Sequence, residues 1–316
     1  MRTIVHPPGR HCVVTSRQPR PSRHAHFIKG LSAMPPLLPA RRHHLATRPW
    51  AVALVVLIAI GGVAAVPASS AHAAGLPAQG STISTLPAFP APTSVKPPRA
   101  TPYEVPAGQT VDYNNAELNG STSGRGEFQQ PVILVHPGGT VKNVIIGPLA
   151  ADGIHCEASC TIENMYSSHV GEDAVTLLDG SPTPSVVTIQ GGGVQHAYDK
   201  VVQMDGAGTV RIMHFAASDI GSLVRSCGNC PHQYPRHIVV SDVFIDGGRY
   251  KVAGVNQNFG DTAKLDHITI RGTRMQVCDR TIGGRGTPAK EVPGGSGDPY
   301  AGVCDFSYAT ILFEHG

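Results

Sequence analysis

The run Thr140-Val141-Lys142-Asn143-Val144-Ile145-Ile146-Gly147 decides the fold. Apolar β-branched residues alternate with polar ones, an asparagine interrupts the run, and a glycine closes it. Cys160-Thr161-Ile162-Glu163-Asn164-Met165 repeats the pattern, with its asparagine 21 residues further on. Val187-Thr188-Ile189-Gln190-Gly191 and Gly208-Thr209-Val210-Arg211-Ile212 follow. His237-Ile238-Val239-Val240-Ser241-Asp242-Val243 and Leu265-Asp266-His267-Ile268-Thr269-Ile270 continue the series. Short alternating runs at steps of 21–29 residues signal a repeat architecture built from strands. A sandwich would need hairpin turns about every 8–12 residues. Here the chain takes more than 20 residues to return to a similar strand. That is the rung length of an all-β, right-handed, single-stranded parallel β-helix, in which each rung buries its inward side chains on the next. Such rungs cannot stand alone, so residues 106–120 and 280–316 are expected to cap the ends.

Outward from the repeats, the 316 residues divide by charge. The whole chain carries 25 Lys+Arg against 22 Asp+Glu, a net of +3. Residues 1–73 hold nine of the basic residues and none of the acidic ones, which leaves 16 against 22 in the remainder, a net of −6. A body of that charge without a Lys/Arg block is a poor partner for nucleic acid. Residues 1–73 read as a signal-peptide region. Arg41-Arg42 precede the apolar run from Trp50 to Ile60, and small residues lead to Ala71-His72-Ala73. The apolar run is short for a membrane span, which needs roughly 20 residues. The protein is therefore expected to be secreted, with no membrane in its mature form, and to act as a monomer. Met34 stands just upstream as an alternative start. Residues 74–105, with Pro87, Pro90, Pro92, Pro97, Pro98 and Pro102, read as an extended linker that buries nothing, and 106–316 as the folded domain.

Six cysteines fall in that domain: Cys156, Cys160, Cys227, Cys230, Cys278 and Cys304. Six allow fifteen connectivities. Pairing 156–160, 227–230 and 278–304 is the working choice. Cys227-x-x-Cys230 lacks a second CxxC or a His pair at zinc spacing, so a zinc site is not supported.

Four polar clusters lie between the strands: Asp152-Gly153-Ile154-His155, Gly171-Glu172-Asp173-Ala174, Asp199-Lys200, and Arg225-Ser226-Cys227-Gly228-Asn229-Cys230 with Arg236 beyond it. Residues about one rung apart stack. Asp152 and Glu172 differ by 20, Asp173 and Lys200 by 27, and Lys200 and Arg225 by 25. One face thus carries carboxylates, an ammonium and a guanidinium in neighbouring rungs. Asp152, Glu172, Asp173 and Asp199 are hard oxygen donors of the kind Ca²⁺ takes, roughly 6–8 at a time. Lys200 and Arg225 beside them suit a polyanion, and Arg236 is a candidate substrate contact. The set fits β-elimination from an acidic sugar. The cation polarises the substrate carboxylate, a base removes the proton on C5, and the C4–oxygen bond breaks. Lysine is the better base on physical grounds, because its pKa falls on desolvation beside a cation. Arginine, with a pKa above roughly 12, suits a carboxylate clamp.

At these residues the chain resembles the class III pectate lyases, polysaccharide lyase family 3. The resemblance is carried by Val141-Lys142-Asn143-Val144-Ile145-Ile146-Gly147, Ala151-Asp152-Gly153-Ile154-His155-Cys156, Gly171-Glu172-Asp173-Ala174, Asp199-Lys200-Val201, Gly206-Ala207-Gly208-Thr209-Val210 and Arg225-Ser226-Cys227-Gly228-Asn229-Cys230. Gly254-Val255-Asn256-Gln257-Asn258-Phe259-Gly260-Asp261-Thr262-Ala263 adds to it. It implies a parallel β-helix and Ca²⁺-dependent cleavage of polygalacturonate (pectate). Asp152, Glu172 and Asp173 then correspond to calcium ligands, Lys200 and Arg225 to the catalytic basic pair, and Glu127 to an acid or substrate contact. Three departures stand out. Ser222 occupies the place of a family lysine, Met165-Tyr166-Ser167-Ser168 replaces tryptophans, and Gly171 stands where relatives often have cysteine. Two other functions compete. A galacturonan hydrolase would use Glu172 and Asp173 as paired carboxylates. A non-catalytic wall-binding β-helix would hold calcium for structure alone.

Overall fold

Alternating apolar side chains bury one face of each short strand, and in this protein that face is supplied rung after rung. The computed structural model describes residues 83–120, 126, 129–181 and 183–315; the expected leader and Glu127 lie outside them. The strands in chain order are β1 (Tyr103–Val105), β2 (Thr110–Leu118), β3 (Pro131–Val135), β4 (Thr140–Ile146), β5 (Asp152–Cys156) and β6 (Cys160–Ser167). Next come β7 (Asp173–Leu177), β8 (Ser185–Gln195), β9 (Lys200–Met204), β10 (Gly208–Ser218), β11 (Ser222–Ser226) and β12 (Arg236–Asp246). The last are β13 (Lys251–Asn256), β14 (Thr262–Arg271), β15 (Gln276–Ile282), β16 (Lys290–Ser296), β17 (Cys304–Asp305) and β18 (Ile311–Glu314).

Odd-numbered strands β1 to β15 stack in one parallel sheet, and even-numbered strands β2 to β14 in another, so each chain turn adds one strand to both. This is a parallel β-solenoid. Its core is a set of aliphatic columns. Val141, Ile162, Ile189, Ile212, Val240 and Leu265 stand on one another in register, each at most 2% exposed. Burying one such side chain contributes about 1.5–3 kcal/mol.

The polar residue inside most of the even strands has a specific task, which glycines take over in β8. Asn143, Asn164, His214, Asp242 and His267 all have φ near +50°. One left-handed residue bends the strand and redirects the following apolar residues to the core. Asn, Asp and His tolerate this conformation better than branched residues. The asparagines also stack: Asn164 Nδ2 donates to Asn143 Oδ1 at 3.0 Å, and Asn143 Nδ2 donates to Asp112.

The three disulfides are Cys156–Cys160, Cys227–Cys230 and Cys278–Cys304, as the working connectivity has it. Two of them close short loops at strand ends. The third ties β15 to β17. At the C-terminal end β16 runs antiparallel to β15, while β17 and β18 pair with β14. These strands cap that end as expected. At the other end the proline-rich stretch does more than link. Thr93 and Lys96 hydrogen-bond to β2, Phe89 packs on Tyr166 at 5.3 Å between ring centroids, and Val105 in β1 is fully buried. Its prolines suit a segment that lies along an edge without donating to a central ladder.

Candidate active site

The first sheet presents its strand starts to a groove of about 1120 Å³. In the five-residue strands β5, β7, β9 and β11, buried residues at the third and fifth positions anchor the strand, and the first and fourth positions line the groove. The first positions form a column. Pro131 pairs with Asp152, Asp173 with Lys200, Lys200 with Ser222, Ser222 with Lys251, and Lys251 with Gln276. The pairing of Ile154 with Val175 sets Asp152 beside Asp173 rather than Glu172. The fourth positions form a second column: His155, Thr176, Gln203, Arg225, Gly254 and Asp279. Arg225 therefore stacks on Gln203 and not on Lys200, because the rungs differ in length.

Glu172, Asp173 and Asp199 bring carboxylate oxygens within 4.8 Å of one another. Asp152, 4% exposed, lies one rung away, with His155 Nε2 3.6 Å from its Oδ2. Lys200 Nζ lies 3.4 Å from Asp173 Oδ1 and also pairs with Asp199. Burial pushes the Asp173 carboxyl up to about 8; Lys200 opposes this, and Asp199 and Asp152 add to it. Asp173 Oδ1 is buried, with the Lys200 ammonium beside it. A converging set of hard oxygens fits a divalent cation. These acidic groups can hold a metal.

The two basic residues differ. Burial pulls Lys200 down, but Asp173 and Asp199 outweigh it, and its pKa is raised. Arg225 is lowered, because desolvation exceeds the pull of Asp279, Asp261, Glu291 and Asp199. Lys200 is thus held by carboxylates in the metal-free protein, while Arg225 is largely desolvated. Arg225 Nη2 donates to Thr281 Oγ1 at 3.3 Å, and its Nη1 is buried with no partner.

Arg236 is not a substrate contact. It is fully buried, donating from Nε to Gly206 O at 3.1 Å, from Nη1 to Gln233 Oε1 at 2.7 Å and from Nη2 to Asp205 O. A polar network continues from it. Asp261 accepts from the Arg236 and Asn256 amides, and Asn256 Nδ2 donates to Ser226 Oγ and Cys227 O. It fixes the loop that follows Arg225, which accounts for the asparagine and aspartate of the 254–263 run.

Sequence reasoning missed Lys251, Asp279, Gln203, Asp205, Arg249, Tyr250 and Arg274, all of which line the groove. For Lys251 the signal was available: it opens a strand as Asp152, Asp173, Lys200 and Ser222 do.

The pectate lyase family signature matches residues 87–286. The chain belongs to the pectate lyase family. It is 49% identical to pectate lyase H of Emericella nidulans over 147 residues, 46% of this chain and 55% of that relative. It is 40% identical to probable pectate lyase D of Neosartorya fischeri over 211 residues, 65% of this chain and 84% of that relative. The chain thus spans about half the length of the first and most of the second. Among solved structures, the catalytic domain of pectate lyase PelI from Erwinia chrysanthemi superposes with a TM-score of 0.57 at 27% identity, covering 70% of this chain and 98% of that one. PelI in complex with tetragalacturonic acid gives 0.56 at 26%, covering 68% and 70%. The parallel β-helix expected from the repeats is the fold of a pectate lyase here.

Proposed function

We propose that this pectate lyase is a secreted monomer that cleaves α-1,4-polygalacturonate by Ca²⁺-dependent β-elimination, with Lys200 and Arg225 as its basic pair. The observation that carries this reading is the groove itself, where a cluster of carboxylates adjoins one paired and one underpaired cation. Asp152, Glu172, Asp173 and Asp199 would hold the calcium ion. When bound, the ion neutralises the substrate carboxylate and so acidifies the proton on C5. Arg225, which stays charged, clamps that carboxylate. Lys200, as the neutral amine left once its own proton has passed to solvent, takes the C5 proton. The C–H electron pair becomes the C4–C5 double bond as the C4–oxygen bond breaks, and the departing oxygen leaves with a proton from solvent. The product ends are an unsaturated sugar and an intact reducing end.

The hydrolase reading is disfavoured by the lyase family to which the chain belongs. Substitution tests the assignment. Arg225→Ala and Lys200→Ala each lose roughly 10²-fold or more in rate, the scale of a general base or a charge stabiliser, with the thermal unfolding midpoint retained. Unchanged rates would instead make the domain a polysaccharide-binding β-helix.

A further inference from the structure

The turn between β12 and β13 sends one side chain back across a whole rung to the segment that carries Asp199. Arg249 sits in that turn, with its amide donating to Ile220 O at 2.8 Å. Its Nη2 donates to Ala197 O and to Tyr198 O, each at 3.0 Å, and its Nη1 pairs with Asp219. Asp219 in turn pairs with His196 Nδ1 at 2.8 Å. The guanidinium therefore closes on the two carbonyls just before Asp199, and the carboxylate that steadies it is tied to the residue before those. The rung it crosses is thin at this point. A Cβ on Gly221 would collide with Asp199 O and come within 2.8 Å of Tyr198 O. That rung also holds the segment, Gly221 N donating to Ala197 O at 2.9 Å and Ser222 N to Asp199 O at 2.8 Å. Among the converging carboxylates, Glu172 and Asp173 are buried, whereas the side chain of Asp199 is 44% exposed. Packing places the first two. The third depends on the course of its backbone, and its ion-pair partner Lys200 stands on the same stretch.

We propose that Arg249 is a positioning residue for the calcium site: by clamping the carbonyls of Ala197 and Tyr198 it holds the Asp199 carboxylate where it converges with those of Glu172 and Asp173. The inference rests on the reading of Asp199 as a calcium ligand. Groups that orient a metal ligand from outside the coordination shell are worth about 10–100-fold in metal affinity. A guanidinium suits the task, because its planar fork of donors meets two carbonyls and a carboxylate in one fixed geometry, which an ammonium does not. Its charge works the other way. A cation lining the groove repels Ca²⁺, so a purely electrostatic Arg249 would weaken calcium binding. The two roles carry opposite signs.

The test is isothermal titration of the full chain with calcium, beside lyase rates on polygalacturonate, for the wild type, Arg249→Met and Arg249→Lys. Arg249→Met removes clamp and charge together, and calcium binds about tenfold more weakly. At saturating calcium its KM stays within about twofold and its kcat within about threefold of the wild type. Arg249→Lys keeps the charge and loses the fork, so calcium still binds about fivefold or more weakly, and this variant carries the comparison if Arg249→Met does not fold. Tighter or unchanged calcium binding in Arg249→Met overturns the inference, as does wild-type affinity in Arg249→Lys. A raised KM at saturating calcium with calcium affinity unchanged overturns it too, and makes Arg249 a substrate contact. If Asp199→Asn binds calcium as tightly as the wild type, the calcium reading of Asp199 fails and the inference falls with it, a result read separately from the Arg249 variants.

Discussion

Calcium binding should be driven by pH through one carboxyl. Burial holds the Asp173 carboxyl at about 8 without metal, against an ordinary value of 3.8. A raised carboxyl pKa means that the native metal-free state binds the proton more tightly than the unfolded chain. Its stabilising contribution is therefore full below pH ~4 and lost as pH rises through about 8. The upper limit is set by four pH units at about 1.36 kcal/mol each, or ~5 kcal/mol, and relaxation of Lys200 and entry of water reduce it. The same proton must leave before Asp173 can ligate a cation. Apparent calcium affinity should thus rise about tenfold per pH unit and roughly a hundredfold from pH 6 to 8, then level off. Isothermal titration with calcium at pH 6, 7 and 8 measures it directly. Asp173→Asn, of the same shape without the charge, should lose both the affinity and its slope. A calcium affinity flat across this range, or full affinity in Asp173→Asn, would refute the reasoning.

Three further outcomes follow from packing. Arg236→Met strands the carbonyls of Asp205 and Gly206 and should lower stability by about 3 kcal/mol in denaturant unfolding, with KM of the remaining folded enzyme unchanged. Ile212→Ala, at the centre of an aliphatic column and fully buried, should destabilise by about 2–5 kcal/mol by the same measurement. Gly254→Ala drives a methyl group against the Arg225 and Lys251 stems, so kcat should drop by at least about tenfold while thermal stability changes little.

The architecture was legible because each rung carries its own evidence. Val141, Ile162, Ile189 and Ile212 recur as buried partners, and Asn143 and Asn164 mark the bends. The site was legible as residue types, with Asp173 and Lys200 stacked as their spacing suggested. The finer register was not. Steps between strand starts run from 21 residues, Asp152 to Asp173, to 29, Ser222 to Lys251. Counting between polar clusters therefore set Asp152 against Glu172 and Arg225 against Lys200, whereas buried apolar positions fix the true pairs. Arg236 failed for another reason. A guanidinium near a functional loop reads as a ligand contact, and only the converging carbonyls show that it is a clamp. The relative basicity of Lys200 and Arg225 depends on desolvation and on which carboxylates each one meets. Composition does not carry that information.

The charge of −6 on the body outside the leader, which alone argues against a polyanionic substrate, is reconciled by its placement. On the proposed reading, much of the acidity in the groove holds a cation next to Lys200 and Arg225. The measurement that tests this most directly is the ultraviolet absorbance of polygalacturonate incubated with the protein, with calcium and then with excess chelator. The account predicts a steady rise from the C4–C5 double bond that stops on chelation and resumes when calcium is restored. Reducing ends that accumulate without that absorbance, or a rise indifferent to the chelator, would contradict it.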